Sequence, residues 1–106
     1  MKSKWRRYEV LLPHRFNDGR PVPNAWLAEA VNEIVDQFRA VSFEKMKVEG
    51  RWRSGEKLYR DVLAKVFVDV PDTLQNRQWM KKFKARWKKN LKQIEIWMIS
   101  YRIELE

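Results

Sequence analysis

The sequence predicts one α+β domain of strand–helix–strand–strand–helix–strand order, and three observations carry that reading. Apolar spacing switches between a period of two and a period of about 3.6 along the chain. Clusters of Pro, Gly, Asn and Asp fall between the periodic segments. The length of 106 residues, 44% hydrophobic, supplies one modest core and not two. Residues 1–106 are therefore read as a single domain, with a short basic N-terminal segment at 1–6.

Tyr8, Val10 and Leu12 alternate against Glu9 and Leu11, a strand pattern that Pro13 closes. The loop HRFNDGRPVP follows, with Asn17-Asp18-Gly19 as a turn signal and Pro23 placed for the first turn of a helix. Leu27, Val31, Ile34 and Phe38 recur at i, i+4, i+7 and i+11, so Glu29, Glu33 and Asp36 should face outward. Residues 41–52 and 57–70 are rich in strand formers and are joined through Ser54-Gly55-Glu56, which reads as a hairpin. Val66, Val68 and Val70 alternate with Phe67 and Asp69 before Pro71-Asp72 stops the strand. Residues 74–93 form the second helix, and Ile94 to Leu105 the last strand. This order is the ferredoxin-like βαββαβ arrangement, with a four-stranded antiparallel sheet and both helices on one face.

Three stretches, YEVLLPHRFNDGRPVP at 8–23, VFVDVPDT at 66–73 and IEIWMISYRIE at 94–104, resemble a group of small bacterial proteins of about this length. The likeness spans most of the chain, and its motifs are strand and turn signatures. It implies one compact α+β domain and carries no activity over to any residue.

Charge is the strongest functional signal. The chain carries a formal +9, and residues 74–93 hold eight basic side chains with no acidic one. At about 100° per residue, Trp79, Met80, Phe83, Trp87 and Leu91 share one side of that helix. Arg77, Lys81, Lys82, Lys84, Arg86, Lys88, Lys89 and Lys92 cover the rest. Such a surface suits a nucleic-acid backbone or an acidic protein. The competing explanation is a solvated face balanced by the first helix, but Glu29, Glu33 and Asp36 are three charges against eight. Because Trp79 and Trp87 lie on the apolar stripe, base stacking is not expected of them. RNA-recognition modules of similar topology need glycines and spaced aromatics on the third strand, where this chain reads LAKVFVDV.

The last strand is apolar on both faces. Ile94, Ile96 and Met98 alternate with Trp97, Ile99, Tyr101 and Ile103. An open sheet face normally reads polar, so Phe67, Trp97, Ile99 and Tyr101 are expected to form a self-association surface. A covering hairpin, or an N-terminal segment carrying Trp5, is the blander account.

Catalytic signals are sparse. His14 is the single histidine, beside Arg15, Asp18 and Arg20, with no second histidine or cysteine to complete a metal site. Asp61 and Asp69 lie eight residues apart, roughly 26 Å along an extended strand, too far to share an ion. Asp72 reads as a turn or helix-cap residue. Paired-histidine strand-transfer nucleases need a second histidine. CRISPR adaptation nucleases place an aspartate where this chain has Leu12-Pro13. No glycine-rich phosphate loop occurs, and no cofactor or metal is expected. The absence of cysteine removes disulfides and thiolate sites. No apolar run approaches the ~20 residues of a membrane helix, and MKSKWRRYEV lacks the apolar stretch of a signal peptide. A cytoplasmic, non-enzymatic binding protein that self-associates is the expectation. The alternatives are a cofactor-free enzyme of the dimeric α+β barrel kind, with Tyr8, His14, Trp97 and Tyr101 lining its pocket, and a subunit of a larger assembly.

Overall fold

The computed structural model describes residues 4–39, 42–55 and 57–106, with side chains described outside 42–54 and 57–62. It is an α+β chain with two helices and an antiparallel sheet. Strand β1 spans Trp5–Pro13, helix α1 Asn24–Phe38, β2 Ser42–Ser54, β3 Lys57–Pro71, α2 Leu74–Asn90 and β4 Met98–Ile103. Strand β1 lies between β3, with Tyr8 opposite Val68, and β4, with Tyr8 opposite Ser100. The backbone of β2 continues the sheet along the far side of β3, in the order β2-β3-β1-β4.

The period-two pattern does what it should. Tyr8, Val10 and Leu12 of β1 and Val66, Val68 and Val70 of β3 are buried on one face. Both helices close that face, α1 with Ala30 and Ile34, α2 with Met80, Phe83 and Trp87, joined by Leu91 and Ile96. An aromatic series seals the join between the helices. Phe38 meets Trp79 edge-on at 5.0 Å, Trp79 stacks on Phe83 at 5.6 Å, and Phe83 leans on Trp87 at 6.5 Å.

Helix ends differ from the expected ones in instructive ways. Pro23 is the N-cap residue of α1, one position ahead of the helix, with no side-chain cap bond. At α2 the cap is Thr73, whose hydroxyl accepts from the Asn76 amide at 3.1 Å, and not Asp72. Helix α2 ends in a Schellman turn: the Gln93 amide bonds Lys88 O and the Lys92 amide bonds Lys89 O. Lys92 there adopts φ 53°, as Arg39 does at 65° after α1. That turn takes residues 91–93, expected to be helix, and the bend after it takes residues 94–97, expected to be strand. Ile94 is 56% exposed, and regular β4 starts at Met98. Gly55, at φ 62°, opens a two-residue connection between Ser54 and Lys57. Its companion Glu56, like the expected strand start at Val41 and the N-terminal residues 1–3, lies outside the described residues.

Candidate functional site

Two surfaces flank the core, and they are built differently. The outer arc of α2 is the basic one. Its borders are neutralised by acids from neighbouring elements, while its centre is not. On the α1 side, Arg86 Nη2 donates to Glu33 Oε2 at 2.7 Å, and the same oxygen takes the Trp87 indole N–H at 2.8 Å. On the β4 side, Glu95 Oε1 lies 3.1 Å from Lys84 Nζ and 4.0 Å from Lys88 Nζ. Those amines and the Ile96 amide hold the Glu95 carboxyl below its ordinary value, Lys84 contributing most. Arg77, at the start of the helix, stands 3.9 Å from Asp72 Oδ1.

Lys81, Lys82 and Lys89 occupy the middle of the arc, all exposed, with no ion-pair partner among the described residues, while Lys92, in the turn beyond the helix, is exposed and helps to lower the Asp18 pKa. From Lys81 to Lys92 the axis advances roughly 16 Å, a length that spans several phosphates of a nucleic-acid strand. Of the interleaved aromatics, Trp87 is buried and Trp79 half-buried against Phe38 and Phe83, so neither is presented for base stacking. Glu33, which sequence periodicity places on the outer face of α1, is turned to its neighbour helix.

The second surface is the sheet face away from the helices. Register sets Arg7 opposite both Asp69 and Tyr101, and Glu9 opposite both Phe67 and Ile99. Phe67, Ile99 and Tyr101 are thereby brought together on one face. Trp97, whose carbonyl accepts the Leu11 amide at 3.0 Å, extends it. Trp97 is 62% exposed, Ile99 and Tyr101 41% each. The face is not purely apolar. Arg7 makes a bidentate pair with Asp69 at 2.7 and 2.9 Å and lies 4.6 Å over the Phe67 ring. Lys65 Nζ meets Glu9 Oε1 at 2.9 Å. The Asp69 hydrogen bond, opposed by burial, keeps Arg7 protonated still more firmly than an ordinary arginine.

The loop around His14 spends its polar groups on its own shape. The His14 carbonyl accepts the Val22 amide at 2.8 Å. Asp18 accepts both the Arg20 amide, at 3.0 Å, and its Nε, at 2.6 Å, which lowers the Asp18 pKa. Arg15 donates to Gly19 O at 3.0 Å, and Arg20 covers Phe16 at 5.2 Å. Tyr8, a candidate pocket residue, is instead buried on the helix-covered face, away from Trp97 and Tyr101, and its hydroxyl has no hydrogen-bond partner among the described residues. Asp69 is paired with Arg7; the side chain of Asp61 lies outside the described residues. Among the described residues no three His, Asp or Glu side chains gather as a metal site.

No family model and no curated protein matches the chain. Among solved structures it is similar to a phage SAM lyase in complex with S-methyl-5′-thioadenosine. The two superpose with a TM-score of 0.71 over 96% of this chain and 84% of that one, at 6% sequence identity. At that identity the likeness is one of fold. No helix among the described residues is long and apolar enough to cross a membrane.

Proposed function

We propose that this chain is a binding protein, a ferredoxin-like unit with a four-stranded sheet, whose α2 surface engages a nucleic-acid backbone. The observation that supports the reading is the unneutralised centre of the arc. Glu33 and Glu95 take the bordering cations, and Lys81, Lys82 and Lys89 keep theirs. Evenly solvated charge has no reason to divide that way, whereas a backbone ligand needs cations free of internal carboxylates. Contact is through phosphate and so sequence-tolerant, in a cytoplasmic setting. Phe67, Trp97, Ile99 and Tyr101 would join two copies through the open sheet face.

Binding of labelled single- and double-stranded DNA and RNA across a salt series tests the reading. Log affinity should fall linearly with log salt. Reversing Lys81, Lys82 and Lys89 to Glu should abolish binding and leave the circular dichroism unchanged. Retained affinity in that variant, or no binding at low salt, sinks it.

A second reading is favoured by the open face itself, which combines Trp97, Tyr101 and Phe67 with the Glu9 and Asp69 carboxylates. Aromatic rings and carboxylates suit a nucleoside, and the similar phage lyase holds one. On this reading two open faces enclose a nucleoside pocket of a cofactor-free enzyme. S-methyl-5′-thioadenosine raising the melting temperature, with the rise lost in Tyr101→Ala, would favour it over the first.

A further inference from the structure

Beside the start of α2 the molecule assembles more positive charge than its own carboxylates can use. Arg6 of β1, Arg77 of α2 and Arg102 of β4 converge on one acid, Asp72. Arg6 donates Nε to Oδ1 at 2.9 Å and Nη1 to Ser100 Oγ at 3.1 Å. Arg102 donates Nε to Oδ2 at 3.3 Å. Arg77 Nη2 is 3.9 Å from Oδ1, an ion pair beyond hydrogen-bond distance. No other carboxylate among the described residues pairs with any of the three. Three cations thus share one anion.

The unused donors point to one place. A guanidinium carries five N–H groups. Among the described residues Arg77 spends none of them in a hydrogen bond, and Arg102 spends only its Nε. Both side chains are about half exposed, at 44% and 55%, while Asp72 is 14% exposed with both oxygens engaged. Together with Thr73 and Leu74 they wall an open cleft of about 240 Å³. The arrangement is held by the fold, since Arg6 and Arg102 are register partners across β1 and β4. The arginines, not the helix end, make the site, because Thr73 already caps the Asn76 amide. Like charges gathered around a single carboxylate repel, and a dianion restores the balance.

We propose that this cleft binds a phosphate dianion, free or as a monoester, with Arg77 and Arg102 presenting planar forks to its oxygens. Asp72 positions the Arg102 fork directly, anchors Arg6 behind it, and draws Arg77 only as an ion pair at 3.9 Å. The site adjoins the lysine arc through Arg77, one turn before Lys81, but it uses none of the lysines and does not depend on the nucleic-acid reading.

The test is a titration of the full chain with inorganic phosphate at constant ionic strength, following the arginine Nε–Hε signals by NMR. Saturable shifts of Arg77 and Arg102 are expected, weakened roughly tenfold in Arg77→Gln and in Arg102→Lys. Arg102→Lys keeps the charge and removes the fork, so it stands as a probe should Arg77→Gln unfold. An Arg15→Gln, Arg20→Gln double variant, in the loop at the other end of β1, should bind as the wild type does. Uridine 5′-monophosphate in a parallel titration separates the sources: tighter binding than phosphate assigns the cleft to an ester, weaker binding to the free ion. Absence of saturation with both anions overturns the proposal. Phosphate affinity that survives in both Arg77→Gln and Arg102→Lys overturns it too.

Discussion

Helix α1 carries Glu29, Glu33 and Asp36 and no basic residue, whereas α2 carries seven basic residues and no acidic one. Both cover the same sheet face and bury their apolar stripes in the same core. Their charges are opposite, yet among the described residues they meet in a single ion pair, Glu33 with Arg86. Helix formation and burial are set by the apolar stripe, so the outer arc is free to take either sign. What α1 leaves unneutralised on α2 is a surface property, and removing it should leave the fold standing.

The strongest way to break that comparison is through the stripe. Trp87 is 2% exposed and among the largest fully buried side chains. Trp87→Ala should destabilise by about 3–5 kcal/mol, where Ile34→Val in α1 should cost about 0.5–1.5 kcal/mol. Urea unfolding of the two variants measures both. A Trp87→Ala loss below about 1 kcal/mol would mean that α2 is held by its charges after all.

Glu33 sharpens the comparison because it is the one acid of α1 that reaches α2. Its Oε2 receives Arg86 and the indole of the buried Trp87. Glu33→Ala should cost about 1–3 kcal/mol by leaving that N–H unpaired. Glu33→Gln keeps an amide oxygen for the indole and should cost under about 1 kcal/mol, since Arg86 is half exposed. Equal losses in the two variants would assign the effect to the ion pair instead.

Acid should act more weakly, and at the ends of α2 instead of its middle. Asp72 is held below its ordinary 3.8, mainly by Arg6, and Glu95 below its ordinary 4.5, mainly by Lys84. Both pKa values are depressed in the fold, so the stabilisation is complete above the ordinary values. It is lost as pH falls through the lower folded-state values. The melting temperature should therefore be flat from pH 7 to 5 on account of these two groups and decline below about pH 4. Asp72→Asn should start lower and decline less steeply. A wild-type decline that Asp72→Asn and Glu95→Gln leave unaltered would place the acid response elsewhere.

Period and turn chemistry make much of this legible in the sequence. Phe83, Trp87 and Leu91 follow from spacing alone, as do the lysine arc and the shared face of Phe67, Ile99 and Tyr101. What spacing could not register is the pairing of side chains far apart in the chain. Arg6 and Asp72 are 66 positions apart, Arg86 and Glu33 53. Asp72 reads in the sequence as a turn or helix-cap residue, but Thr73 supplies the cap and long-range arginine partners give Asp72 a different task. The late start of the last strand has a local cause. Ile94 and Ile96 continue the alternation, but Glu95 bonds the Ile96 amide at 2.9 Å and attracts Lys84. That side chain stabilises a bend that hydrophobicity alone reads as strand.

The helices agree again where each stops, and this sets up the smallest effect. Each is followed by a basic residue in the left-handed region, Arg39 after α1 and Lys92 after α2. Glycine is the usual occupant of that position, because a Cβ there crowds the backbone. A cation offers partial compensation at the negative end of the helix dipole. In the Schellman turn of α2, Lys92→Gly should relieve the crowding while keeping both amide bonds, a gain of about 0.5–1 kcal/mol. The unfolded chain gains freedom from the same change, which keeps the benefit at the low end. Arg39→Gly should behave alike for stability, yet only Lys92→Gly removes a cation from the lysine arc. Melting temperatures that rise in both variants, with nucleic-acid affinity falling in one, would separate the strain shared by the helix ends from the charge that belongs to α2. A fall in stability for both would show that the charge at the helix terminus outweighs the crowding.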